Sequence, residues 1–96
     1  MTRSDIMARL GALKPELSGF NVKTLYLFGS HARDTAHSGS DIDLFVAFRG
    51  KATFDAYMDL KLFLEDRLGH KIDLVTDRAI RPELRPAIER EAIRVA

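Results

Sequence analysis

"FGSHARDTAHSGSDIDLFV", residues 28–46, sets a glycine-serine pair and an arginine ahead of two aspartates that flank one isoleucine at the start of an apolar run. Carboxylates at the mouth of a buried strand are costly unless something positive meets them. Upstream, "VKTLYLF" is a short, nearly continuous apolar segment ending at Gly29, and it reads as a buried strand. Downstream, "DIDLFVAF" reads as a second strand, closed by "RGK". The polar stretch between them, broken at Gly39, has room for a helical turn after Ser30.

Alternate residues of a strand share a face. Asp41, Asp43, Phe45 and Ala47 therefore point one way, and Ile42, Leu44, Val46 and Phe48 the other. The two carboxylates stand one above the other, with Cα atoms about 6.6 Å apart. Asp73 is flanked in the same way, by Ile72 and Leu74, in the third strand "KIDLVT". If the strands bearing Asp43 and Asp73 are neighbours, a third carboxylate joins the first two. Three convergent carboxylates raise one another's pKa unless they are neutralised. A hard cation such as Mg²⁺ does so with oxygen ligands, and pairs of such ions serve phosphoryl transfer. The plainer alternative makes Asp41 a turn or capping residue and leaves Asp43 on a solvated face.

The glycine-serine pair adds weight to the first reading. A glycine after a buried strand, followed by a helical turn, offers backbone N–H groups, a hydroxyl and the positive end of a helix to a phosphate. Gly29 lets a ligand approach the backbone closely. Arg33, three residues beyond Ser30, reaches the same phosphates if the turn is helical. Other phosphate and nucleophile motifs do not fit. Ala32 stands where a hydrolase elbow needs its second glycine, and Gly50-Lys51 lacks the rest of a P-loop. His31, His37 and His70 show no metal-ligand spacing and read as surface histidines.

Elsewhere the periodicity is helical. Ile6, Leu10, Leu13 and Leu17 form one stripe, with Ser4 as its N-cap and a break at Pro15. Phe54, Tyr57, Leu60, Leu64 and Leu68 form another, closed by Gly69. Met58, Leu62 and Phe63 add more apolar surface to that helix than one face needs, which fits a helix sandwiched deeply in the fold or, alternatively, an interface. "RPELRPAIEREAIRV" reads as a last helix with Pro82 in its first turn. The order helix, strand, strand, helix, strand, helix predicts an α/β (α+β) fold. Its sheet is small and mixed, of three or more strands, with helices packed on it.

Ninety-six residues make one domain, 1–96. A 46% apolar and 30% charged composition is that of a folded, soluble chain. A net charge of +1 and the absence of a reading motif argue against direct nucleic-acid binding. No cysteine is present, which excludes disulfides, thiolate zinc sites and a cysteine nucleophile. No signal-like or membrane-spanning run is present, and a cytoplasmic location is the expectation.

Gly29-Ser30, ten residues, then Asp41-Ile42-Asp43, with Ala32-Arg33 after the Gly-Ser, resembles the minimal nucleotidyltransferase (MNT) family. That family is a branch of the DNA polymerase β-like nucleotidyltransferase superfamily. The ending Leu84, Ile88, Glu91, Ala92 extends the resemblance over nearly the whole chain. The resemblance implies attack of an acceptor oxygen on the α-phosphate of ATP, with two Mg²⁺ ions as cofactor. Asp41 and Asp43 would be metal ligands, and Asp73 a third ligand or the base near the acceptor hydroxyl. Gly29 and Ser30 would bind the β- and γ-phosphates, with Arg33 nearby. It further implies an antitoxin whose partner is a HEPN-domain toxin, modified by AMP on a tyrosine, with hetero- or homo-oligomeric assembly open. A toxin-binding antitoxin without catalysis, and a transferase for a small-molecule hydroxyl, stand as alternatives. Many relatives carry glycine after Ala-Arg. Asp34 stands here instead, a charge that would disfavour phosphate unless it points away.

Overall fold

The two apolar runs around the Gly-Ser loop form the central strands of the sheet. A computed structural model of the chain describes residues 1–37 and 39–96. Ser38, in the polar loop read above, lies outside the described residues. In chain order the elements are α1 (Arg3–Ala12), α2 (Lys14–Gly19), β1 (Val22–Phe28), α3 (Gly29–Ala32), β2 (Ile42–Phe48), α4 (Phe54–Leu68) and β3 (Ile72–Thr76). A 3₁₀ turn (Asp77–Ala79), α5 (Arg85–Glu91) and β4 (Ile93–Arg94) complete the fold.

The sheet runs β3-β2-β1-β4. β1 is antiparallel to β2 and to β4, whereas β2 and β3, joined through α4, are parallel. The expected mixed sheet with packed helices is therefore present, with a fourth strand. Ile42, Leu44 and Val46 are fully buried, and they pack with Leu25 and Leu27 of β1 and with Ile6, Leu10, Leu60 and Leu64 of the helices. An irregularity between Val22 and Thr24 lets Val22 and Leu25, three apart, both face this core. The opposite face of the sheet carries Tyr26, Phe28, Asp43, Phe45 and Asp73. There Tyr26 stacks on Phe45 across the strands at 4.7 Å between ring centroids.

α1 begins two residues earlier than a Ser4 cap predicts. Thr2 is the N-cap, and Thr2 and Asp5 exchange hydrogen bonds as a capping box. Pro15 does break the helical stretch, and it sits in the first turn of α2. The last helix differs more. A helix starting at Pro82 would bury Pro86 in its interior, where the missing N–H and the ring cost about 3 kcal/mol. α5 instead begins at Arg85 with Pro86 in its first turn, and Ile93–Arg94 leaves the helix to pair with β1.

β3 is an edge strand, and α4 covers its outer side. The Tyr57 hydroxyl donates to the Leu74 carbonyl at 2.6 Å, and Glu65 accepts from the Ile72 N–H at 3.1 Å. Two backbone groups that would otherwise invite a further strand are thereby occupied. Among the described residues no helix is long and apolar enough to cross a membrane.

Candidate active site

Parallel pairing of β2 with β3 sets Asp43 directly beside Asp73, and on its other side Asp43 is the register partner of Phe28. The same register buries Ile42 against Ile72 and Leu44 against Leu74. Burial of the apolar residues thus forces the two carboxylates together on the opposite face. Gly29 follows Phe28 with φ +75°, and a Cβ there would lie 2.1 Å from Asp43 Oδ2. Glycine is needed at this point because the Asp43 carboxylate rests against the backbone where β1 turns into α3. The close approach expected at Gly29 is made by the protein's own aspartate.

Asp43 is half-buried. Burial comes first, then the Asp73 charge, the hydrogen bond the two carboxyls share and the Asp41 charge. Together they push Asp43 from 3.8 up to about 6, against a smaller pull downward from Arg33. Asp43 therefore keeps its proton up to about pH 6, well above the range of an ordinary aspartate. This has a measurable consequence in the metal-free chain. Asp43 is protonated in both folded and unfolded states below about pH 4. Between pH 4 and 6 the unfolded chain ionises it first. Chemical denaturation should show stability falling across that window by on the order of 2 kcal/mol, the loss then persisting to pH 7. Asp43→Asn should flatten this part of the curve.

The donor types suit a hard cation: Asp43 and Asp73 are register partners on adjacent strands, Asp41 lies just before β2, and the raised pKa of Asp43 is one that a positive charge would lower. Among the described residues no three histidine, aspartate or glutamate side chains are grouped so that they could hold a metal ion between them. Mg²⁺ does not require such a group, since it keeps waters and takes phosphate oxygens alongside one or two carboxylates.

Ser30 lies in the first turn of α3, half-buried, and its carbonyl accepts from the Thr35 N–H at 2.9 Å. Arg33 is brought to the site but turned toward α5, where Nη1 pairs with Glu91 Oε2 at 2.5 Å. Both groups are partly exposed, so the pair is weak and exchangeable. Asp34 adopts a left-handed conformation, φ 61°, and its Oδ1 accepts from the Arg3 N–H at 3.1 Å. Its charge is thus spent on the N-terminus of α1. The left-handed conformation also explains why glycine suits this position.

Two histidines depart from the surface reading. His31 is 4% exposed, its ring edge-on to that of His70 at 5.8 Å, and burial followed by His70 holds its pKa down. His31 Nδ1 is a buried side-chain atom without a partner among the described residues. His70 Nε2 lies 2.6 Å from the Ser40 carbonyl, so this nitrogen carries the hydrogen and donates it. The α4–β3 junction thereby clamps the residue preceding Asp41. His70→Ala should cost about 1 kcal/mol of stability. Hydrogen exchange at Asp41 and Ile42 should accelerate in that variant, and His70→Gln should restore part of the protection. The signal in the sequence was slight: two histidines, each one residue from a site-bearing segment.

A hollow of ≈ 410 Å³ opens on the carboxylate face between the sheet and α5, lined by Tyr26, Phe45, Ala47, Arg85 and Glu89 among others. A wider one, ≈ 550 Å³, lies near Lys14, Lys23, Arg49 and Arg94, and none of the carboxylates lines it.

A mixed sheet with Asp-x-Asp at the start of one strand and a registered aspartate on the next, with Gly-Ser at the head of a short helix, is a nucleotidyltransferase arrangement. The family described as polymerase beta, nucleotidyltransferase, matches residues 12–96, and the chain belongs to it. Among its relatives is the protein adenylyltransferase MntA of Thermococcus cleftensis, 31% identical over 96 residues that cover 99% of this chain and 97% of the relative. The fold superposes on the structure of a candidate minimal nucleotidyltransferase with a TM-score of 0.85 at 38% identity, covering 97% and 95% of the two chains. A toxin–antitoxin structure with AMP-PNP matches at TM-score 0.73 and 26% identity, covering 90% and 72%. One chain of the structure of a tri-AMPylated Shewanella oneidensis HEPN toxin in complex with an MNT antitoxin matches in fold at TM-score 0.70 and 20% identity, covering 95% and 71%.

Proposed function

We propose that this chain is a Mg²⁺-dependent protein adenylyltransferase that transfers AMP from ATP to a tyrosine hydroxyl of a HEPN-domain toxin, and so acts as its antitoxin. The observation that carries the reading is the Asp43–Asp73 pair, registered by the sheet and pressed against Gly29. A structural role alone gives no reason to hold two carboxylates in contact at the cost of a raised pKa.

In this reading Asp41 and Asp43 hold the metal, and Asp73 is a further ligand or takes the proton from the acceptor hydroxyl. Mg²⁺, when bound, neutralises these carboxylates and the charge that develops on the transferring phosphate. Gly29 and Ser30 present backbone N–H groups and a hydroxyl to the β- and γ-phosphates. Arg33, released from Glu91, supplies a cation to the same oxygens. The acceptor oxygen bonds to the α-phosphorus while the bond from that phosphorus to the β-bridging oxygen breaks. AMP stays on the acceptor and pyrophosphate leaves. The hydroxyl proton passes to a carboxylate oxygen of Asp73. Positioning and charge complementarity supply most of the acceleration in such transfers.

The test is intact mass. The protein is mixed with Mg-ATP and a HEPN-domain toxin, with Asp41→Ala/Asp43→Ala as control. AMP-sized increments on the partner, absent from the control, are the expected result. An unmodified partner in a tight complex that the control forms equally well would make the chain a binding antitoxin.

A further inference from the structure

The apolar surface left over on α4 is not where its main stripe predicts. Leu60, Leu64 and Leu68 are buried in the core, and Phe63 packs against Phe20 at 4.7 Å with Arg67 over its ring. Phe54, read as the first residue of the core stripe, is instead 75% exposed. With half-buried Met58 and with Leu62, which is 57% exposed, it forms a second line at i, i+4 and i+8. Single exposed apolar residues are ordinary, but three aligned over two turns make a strip that water covers at a cost.

We propose that this strip docks a basic amphipathic helix of the acceptor protein, an inference that rests on the reading that the acceptor is a protein. Charge decides the occupant. At about 100° per residue, Asp55, Asp59 and Asp66 fall within roughly 40° of one another, along one side of the strip. All three are exposed, and among the described residues neither Asp55 nor Asp59 is in an ion pair. The chain as a whole is slightly positive, so this acidic row is local. A second copy of the chain is a poor occupant. Two such helices packed antiparallel about a two-fold axis bring their aspartate rows to the same side, where like charges repel. Packed parallel, each row meets only Lys61, with Glu65 beside it. A helix whose own apolar stripe is flanked by lysine or arginine satisfies both the strip and the row.

The position suits an acceptor. α4 is hydrogen-bonded along the outer edge of β3 through Tyr57 and Glu65, and β3 carries Asp73. A partner gripping the strip is held at the sheet edge that bears the third carboxylate. The substrate is thereby tethered by α4 and reacts at the opposite face.

The experiment measures binding and transfer separately, with the same HEPN-domain toxin as probe. Leu62→Glu and Phe54→Glu, both at exposed positions, should each raise Kd by calorimetry about tenfold. They should raise KM for the acceptor with kcat and Mg-ATP affinity unchanged. Asp55→Lys/Asp59→Lys should act in the same direction, and its effect should shrink as salt is added. Unchanged Kd and KM in these variants would overturn the proposal. So would light scattering that finds the parent dimeric and Leu62→Glu monomeric, since the strip would then belong to a second copy. A partner that binds tightly but is never modified would sink the transferase reading, while the Kd of the strip variants still decides this one.

Discussion

Asp43→Asn should lower kcat/KM for AMP transfer by on the order of 10³-fold or more, while making the metal-free chain more stable at pH 7. The two effects come from one carboxylate. Asp43 is held half-buried against Gly29 and hydrogen-bonded to Asp73, which keeps its pKa near 6. An amide of the same shape removes the penalty for ionising it and can still donate to Asp73, for a gain of about 1–2 kcal/mol. It cannot supply an anionic ligand. Urea denaturation without metal and single-turnover transfer with Mg-ATP read the two sides. A variant that loses both stability and activity would mean that Asp43 is structural first. In the parent, magnesium affinity should weaken as pH falls below about 6, because the cation must displace the shared proton.

Gly29→Ala should be the most damaging single methyl in the chain. The added Cβ would sit 2.1 Å from Asp43 Oδ2, 3.0 Å from its Cγ and 3.1 Å from its Cβ, at a backbone φ of +75°. Left-handed strain adds about 1–2 kcal/mol, and overpacking a further 1–3 kcal/mol. The relief available is for Asp43 to swing away from Asp73, so transfer should fail even in the molecules that remain folded. A double-mutant cycle checks the cause. In an Asp43→Ala background the alanine at 29 should cost much less, because two of the three atoms it strikes are gone. Additive losses would point to backbone strain alone.

How much of this was readable beforehand depended on the range of the interactions. Period-two burial placed Asp43 and Ile42 on opposite faces, and three strands and two helices followed from local patterns. Asp73 needed one long-range condition, adjacency of its strand to β2, and the structure meets it in register. β4 was missed because Ile93–Arg94 has no strand signal of its own. Its pairing comes from the free edge of β1. The two prolines of the last segment competed for the first turn, and only the need for an N–H at residue 86 decides between them. Gly29 reads as a point of close approach for a ligand, and its contact with Asp43 is not legible in the sequence because it depends on pairing across strands. Arg33 was read from its spacing to Ser30, yet its partner, Glu91, lies 58 residues away. His31 looked like an ordinary polar residue because nothing nearby indicates that α3 tucks it beneath His70.

The pairing of β2 with β3 also makes this protein its own folding reporter. One register seats Ile42, Ile72, Leu44 and Leu74 in the interior and brings Asp43 to Asp73. A slip by a single residue would bury Asp73 and strand its isoleucine in water. No well-packed but misaligned species can therefore retain the carboxylate pair. In a refolded or freshly expressed sample, the number of active sites counted in one turnover should equal the number of correctly threaded molecules.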